Sequence, residues 1–216
     1  MTLPAALDHA SLFEQAWSAP GNTAVELPPV DVNQALAEHY QLDRELVFTR
    51  DMLWDMELRK AVDPDLYITS VVTPGSVRKW PTGPAGPTSP TDPGDDFVRI
   101  SEQRLWLPPE RRGLVLEQVH IDRGRHAVYF LGAAELTSPT GEVFRAGTGQ
   151  PLFHVEHTAA GTERRPVNHW RIVHLTDTPD RALLDHFAAF GSRPGLRDFI
   201  EQYIRRDLGY ALTRKG

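Results

Sequence analysis

The sequence predicts an α+β fold: a curved antiparallel sheet of about six strands with helices gathered at the N- and C-terminal ends. Three observations predict it. Residues 97–107, 113–122 and 126–135 alternate as strands and are joined by the turn-sized connections PPERR and DRGR, so they pair as a meander. Residues 149–159 and 167–175 form a second, longer strand pair. The helix-patterned segments fall before and after these strands, a segregation that argues against alternating βαβ units.

Taken in order, residues 1–30 are Ala/Pro-rich with isolated Leu, Phe and Trp and read as an N-terminal arm, ordered or partly disordered, of which Phe13 and Trp17 dock a part. A single catalytic-sized domain, residues 31–216, follows. Asp31 to Tyr40 reads as a short helix. Asp43 is placed to cap a longer one, RELVFTRDMLWDMELRKA, whose apolar positions Leu46, Val47, Met52, Leu53, Trp54 and Met56 make a broad buried face and which Asp63-Pro64 stops. LYITSVV, residues 66–72, reads as a strand. Residues 81–94 carry Pro at 81, 84, 87, 90 and 93, a three-residue period that favours a polyproline II path and reads as a stiff surface loop or a lid beside the sheet. Ser138 to Gly141 turns the chain into the second strand pair. Thr178-Pro179 signals the start of the helix DRALLDHFAAF, which Gly191 ends. Pro194-Gly195 opens a last amphipathic helix with Leu196, Phe199, Ile200, Tyr203 and Ile204 inward.

Composition narrows the function. Hydrophobic residues are 40% and charged residues 24% of 216, ordinary for a globular protein. A net charge of −6, with the Arg pairs at 111–112, 164–165 and 205–206 scattered, disfavours nucleic acid as a partner. The absence of Cys excludes disulfides, thiolate metal sites and cysteine nucleophiles. The first basic residue is Arg44 and no run approaches membrane-spanning length, so the chain reads as cytoplasmic with no membrane partner. Nucleotide-binding glycine motifs, GxSxG and HExxH are all missing, and no metal is expected. His154 and His157 fall on opposite faces of a strand and cannot chelate one ion together. A turn centred near Gly161–Thr162 sets His154 and Glu156 on one face beside Trp170 and Asn168.

The candidate site lies on the meander. A first turn centred near Glu110 places Arg104 opposite Leu116 and Ile100 opposite His120. A second turn, near Arg123–Arg125, places His120 opposite Ala127, and Ala133 and Glu135 then follow on the same face. Leu116, Tyr129 and Leu131 make that face look internal, yet it carries a cation, an imidazole and a carboxylate. Polar groups converging in an apolar cup are the default picture of a small-molecule site. The same residues also read as a structural ion pair and a satisfied histidine. Trp54, Trp80, Trp106, Trp170, Phe48, Tyr129 and Phe153 supply aromatic surface for a planar ring, with Arg104 available for a carboxylate.

Four stretches, FTRDMLWDMELRK (48–60), QRLWL (103–107), GQPLFHVEH (149–157) and NHWRIVHL (168–175), resemble the bacterial β-carboline-forming Pictet–Spengler enzymes of actinomycete tryptophan-alkaloid pathways. The resemblance spans roughly residues 40–210. It implies a homodimer without a cofactor that condenses L-tryptophan, or a substituted tryptophan, with an aldehyde. It also implies an Arg, a His and an acid/base Glu in that chain order, which Arg104, His120 and Glu135 supply. Arg111 and His126 keep the same order, and Glu117 and Glu102 are alternative carboxylates. Arg104, Trp106, Tyr129, Phe48, Trp54, His154 and Trp170 are the expected substrate contacts. The alternative enzyme reading is a cofactor-free polyketide cyclase or isomerase of NTF2-like type, by fold analogy; a reading from another class is a non-catalytic small-ligand-binding or accessory protein.

Overall fold

The computed structural model describes residues 7–82, 93–147 and 149–215. The N-terminal part contains α1 (His9–Ser18), β1 (Thr23–Glu26), β2 (Val30–Asp31), α2 (Val32–His39), β3 (Tyr40–Leu42), α3 (Arg50–Val62), α4 (Pro64–Tyr67) and β4 (Arg78–Pro81). The centre contains β5 (Asp96–Arg104), β6 (Arg112–Asp122), β7 (Ala127–Gly132), β8 (Glu135–Thr137) and β9 (Val143–Arg145). The C-terminal part contains β10 (Phe153–Thr162), β11 (Arg165–His174), α5 (Arg181–Gly191), α6 (Asp198–Arg206) and β12 (Leu212–Arg214).

Eight of these strands form one antiparallel sheet in the order β1-β11-β10-β7-β6-β5-β4, with β2 beside β11. The expected α+β plan is therefore present, with eight strands where about six were expected. Pro81 closes β4 at the sheet edge, where its missing N–H breaks no ladder. The other expected Pro-loop residues, 83–92, and arm residues 1–6 lie outside the described residues. No described helix is long and apolar enough to cross a membrane.

Local chemistry explains most boundaries. Asp31, where the short helix was expected to begin, caps α2 by accepting from the Gln34 N–H. The long helix is shorter than expected because Thr49, not Asp43, caps it through the Met52 N–H. The expected strand at 66–72 is instead α4 and a turn, since Pro64 at a helix N-terminus starts a helical turn. Asp180, not Thr178, caps α5, accepting from the N–H groups of Ala182 and Leu183. Leu196, Phe199, Ile200, Tyr203 and Ile204 are all buried, as the amphipathic pattern requires.

The sheet is covered on both sides. On one face α3 and α6 close over Phe97, Val115, Val119, Ile121, Val128, Phe130, Val155 and Ile172. On the other, α1 lays Phe13 against Tyr129, Leu131 and Val173, and the β8–β9 ribbon covers Val98, Ile100 and Leu116. β5 is consequently buried at five consecutive positions from Phe97 to Ser101.

The core behind α5 includes a titratable residue. His174 is fully buried between Phe153 and Phe187, at ring-centroid distances of 5.7 and 5.5 Å. Burial pushes its pKa from 6.5 down to about 4, so the folded chain holds it neutral. The unfolded chain binds that proton as pH falls below 6.5, and stability must fall with it until the folded pKa is reached. One such group contributes a slope of about 1.4 kcal/mol per pH unit in this window. His174→Phe should flatten the loss of stability between pH 6.5 and 4 by that slope, read from urea unfolding at pH 6.5, 5.5 and 4.5. An unchanged slope in the variant would remove His174 from the acid response.

Candidate active-site cleft

Between α3, the segment after α4 and the concave sheet face runs a cleft lined by Lys60, Ile68, Val71, Arg99, Gln103, Trp106, Glu117, Phe130, Phe153, Val155, His157, Trp170 and Ile172. Its cavity volume is about 60 Å³. It is thus a narrow slot with a largely apolar and aromatic lining, in which Lys60, Arg99, Gln103, Glu117 and His157 are the polar side chains.

Those polar groups come from four elements. On α3, Leu53, Met56, Glu57, Lys60 and Ala61 are the buried stripe, the i, i+3, i+4, i+7, i+8 spacing of one helix face. That stripe carries Glu57 and Lys60, 0% and 1% exposed, into the sheet. Lys60 Nζ lies 2.5 Å from Glu57 Oε2 and 2.9 Å from His157 Nδ1. His157 Nδ1 is itself 3.3 Å from Glu57 Oε2. Asn168 Nδ2 donates to Glu57 Oε1 at 2.9 Å. Because an ammonium only donates, His157 accepts at Nδ1 and carries its proton on Nε2.

A second ion pair adjoins the first. Arg99 donates from Nε and Nη2 to Glu117 Oε2 at 2.8 and 2.6 Å. Its Nη1 donates to the carbonyls of Ala61 and Lys60 at 2.8 and 3.3 Å, at the C-terminal end of α3. Aromatic rings wall the group: His157 stacks on Trp170 at 4.0 Å, and Trp170 stacks on Phe199 at 5.0 Å. The Lys60 ammonium sits 4.0 Å from the Phe199 ring centroid. The buried indole N–H groups of Trp106 and Trp170 have no hydrogen-bond partner among the described residues, so both remain donors for a ligand.

Burial sets the proton chemistry. It lowers the Lys60 pKa, against the pull of Glu57, and Arg99 pushes the same way. Burial also lowers His157, aided by the Lys60 charge, and keeps the imidazole neutral. Burial alone would raise Glu57, but the Lys60 ammonium and His157 bring it below the usual carboxylate range. The cleft therefore holds an acidified ammonium and a neutral imidazole in contact, with a carboxylate between them.

The residues singled out from sequence are distributed differently. Arg104 is exposed at the far end of β5, eight residues or about 26 Å along the strand from Asp96, which pairs with His120. His120 sits under α1 on the opposite face from the cleft, bound to Asp96. Glu135 is exposed on β8 and pairs with Arg145 at 2.8 Å. The structure does not bring these three together. Of the expected substrate contacts, Trp106 and Trp170 line the cleft. Tyr129 packs on Phe13 behind the sheet, Phe48 on Tyr203, and Trp54 on His126. His154 faces away and accepts from the Gly132 N–H. Among the alternatives, Glu117 is in the cleft, Glu102 accepts from Thr73, Arg111 lies in the β5–β6 loop and His126 in the following turn. Lys60, Glu57, Arg99 and His157 went unnoticed. The signal for the α3 pair was the stripe spacing itself, which places both charges among Leu53, Met56 and Ala61.

His157 was missed through register. The β10–β11 turn is at Glu163–Arg164, and Gly161, with φ of 80°, sits inside the ladder opposite Pro166. His157 therefore faces Trp170, and Glu156 faces Arg171 on the other side.

No family model matches the chain, and no curated protein matches it. Among solved structures, the ZhuI aromatase/cyclase from Streptomyces sp. R1128 superposes with a TM-score of 0.51 at 12% identity, covering 87% of this chain and 98% of that one. That likeness establishes the fold: this chain has the α+β architecture of that aromatase/cyclase. Ara h 8.0201 (TM-score 0.43, 8% identity, 88% and 92% covered) and norcoclaurine synthase from Thalictrum flavum (0.40, 11%, 88% and 95%) are more distant.

The buried pair makes a stability prediction. Glu57→Gln keeps the Asn168 contact but leaves the Lys60 ammonium without its carboxylate, which should cost about 3–5 kcal/mol. The double variant Glu57→Gln/Lys60→Met should recover most of that loss in urea unfolding at pH 7. A double variant no more stable than the single one would show that the pair is not the source of the cost.

Proposed function

We propose that this chain is a cyclase that closes a ring by carbon–carbon bond formation, by acid/base catalysis from its own side chains, on a planar, carbonyl-bearing substrate held in the concave cleft. The observation that carries the reading is the contact between the Lys60 ammonium and the neutral His157 imidazole in an aromatic-lined slot. The shared architecture with an aromatase/cyclase supports it as analogy.

The residues divide the work as follows. Lys60, in the neutral form that burial makes accessible, takes a proton from the carbon next to a carbonyl; the His157 Nε2 N–H steadies the enolate oxygen and Glu57 stabilises the ammonium that forms. The enolate attacks a second carbonyl, and the Lys60 ammonium returns that proton to the developing alkoxide, which restores the starting state. The Trp106 and Trp170 N–H groups are available for further carbonyl oxygens. The aromatic walls hold the ring planar and exclude water.

The sequence resemblance favours a second version in the same cleft: condensation of tryptophan with an aldehyde to a β-carboline scaffold. There Lys60 and His157 would serve imine formation and loss of the ring proton, in place of Arg104, His120 and Glu135.

Incubation with aromatic poly-β-carbonyl mimics, and separately with tryptophan and a panel of small aldehydes, separates the versions by product. In whichever arm reacts, Glu57→Gln/Lys60→Met should lower turnover by about 10²-fold or more while folding normally. Near-normal turnover by the folded double variant, or no product in either arm, would end the proposal.

The pH profile has a worked sign. Lys60 must be neutral to take the proton, and its pKa is lowered, so activity should rise with pH through a limb well below pH 10.5. Glu57 raises that pKa, so Glu57→Gln should move this limb to still lower pH. A limb that does not move assigns the base to another group.

A further inference from the structure

The proposed chemistry leaves the back of the sheet unused, yet two buried or half-buried imidazoles and a carboxylate meet there. We propose that His9, Asp96 and His120 form a binding site for a divalent transition-metal ion of the zinc type, which clips α1 to the sheet. One ligand atom from each residue lies within 4.8 Å of the other two. His9 is the first residue of α1, and Asp96 and His120 are direct register partners on β5 and β6. His120 Nδ1 already contacts Asp96 Oδ1 at 2.7 Å.

His9 supplies the independent observation. It is only 5% exposed, and its buried Nε2 has no hydrogen-bond partner among the described residues. Its other nitrogen, Nδ1, is 3.1 Å from the Leu7 carbonyl, which can only accept. The ring proton therefore sits on Nδ1, and Nε2 presents a bare lone pair. That is the tautomer a metal ligand needs, fixed by the carbonyl contact that usually accompanies one. A buried imidazole nitrogen left empty is a cost that an ion would remove.

The donor set suits zinc, which takes imidazole and carboxylate at about 2.0–2.2 Å and leaves a fourth position for water. The His9 and His120 rings are 5.2 Å apart and nearly parallel, at 19°. Binding must tilt them so that both lone pairs meet the ion, and the shared proton between His120 and Asp96 is released or moved to the far ring nitrogen. An ion can reach the site through the open groove between α1 and the sheet, whose rim includes Asp122 and Arg125. Once bound, it would join residue 9 to residues 96 and 120 and stabilise the docked arm by linkage.

The full chain, stripped with EDTA and dialysed, is titrated with zinc chloride by calorimetry and its thermal midpoint followed in parallel. One ion per chain and a zinc-dependent rise in midpoint are expected. His9→Phe and His120→Phe should each weaken binding at least about tenfold and abolish the rise. Because His9→Phe alters a buried residue, Asp96→Asn, at an exposed position, serves as the conservative variant and should weaken binding in the same sense. Absence of saturable binding overturns the site and leaves a stacked histidine pair. Binding of unchanged affinity in the His120 and Asp96 variants overturns it equally, by placing the ion elsewhere. Neither result bears on the cleft.

Discussion

The Arg99 guanidinium is the contact on which the concave side depends. From β5 it reaches Glu117 on β6 with two donors and the last carbonyls of α3 with a third. The C-terminal end of a helix carries negative partial charge, so a buried cation there is favourable in itself. One side chain thus joins two strands and a helix and fixes how α3 is rotated over the sheet. With that rotation fixed, Glu57 and Lys60 can only point at His157 and Asn168. An apolar stripe in their place would pack with less desolvation cost, since buried ion pairs seldom outperform hydrophobic replacements. Two such pairs in one small core carry a desolvation cost that packing alone would avoid, and the proposed chemistry is placed on them for that reason.

Much of the fold was legible because its signals are local. The α2 cap at Asp31, the α6 apolar spacing and the strand alternation each depend on neighbours within a few residues. Register was less legible, because it is set by turn geometry. The β5–β6 and β6–β7 pairings differ from expectation by even numbers of residues, which keeps every side chain on its expected face. The β10–β11 pairing differs by an odd number and exchanges the faces, which hid His157. Gly161 drew the turn toward itself, although a glycine with positive φ can equally sit within a hairpin ladder.

The site was less legible still, for a physical reason. Arg104, His120 and Glu135 drew notice as ionisable residues on a face that also carried Leu116, Tyr129 and Leu131. That face is indeed largely covered, by α1 and the β8–β9 ribbon, but it is the back of the sheet. Alternation tells which residues share a face; it cannot tell which of two covered faces encloses a cavity. The charged pair of the cleft sat instead in a helix, where only the apolar positions Leu46, Val47, Met52, Leu53, Trp54 and Met56 were singled out. Counted at helical spacing, Glu57 and Lys60 belong to the stripe.

The two walls of the cleft differ in how they can move, and this bears on how a substrate would enter. The floor is the ladder of β5, β6, β7, β10 and β11, continuous from edge to edge and packed behind by α1 and the ribbon. Close packing on both sides leaves it no room to yield. Ile68 and Val71 belong to the turn after four-residue α4, and Trp106 to the loop between β5 and β6. These segments are held by few ladder bonds, among them Arg104 N–H to the Val71 carbonyl and Trp106 N–H to the Gln150 side chain. A slot this narrow must widen to accept an aromatic ring, and the free energy of opening is lowest where the fewest hydrogen bonds and packed contacts are lost. In the proposed reading, entry would therefore fall between the α4 turn and the Trp106 loop, and the ion pairs held between α3 and the sheet would keep their geometry while that side adjusts.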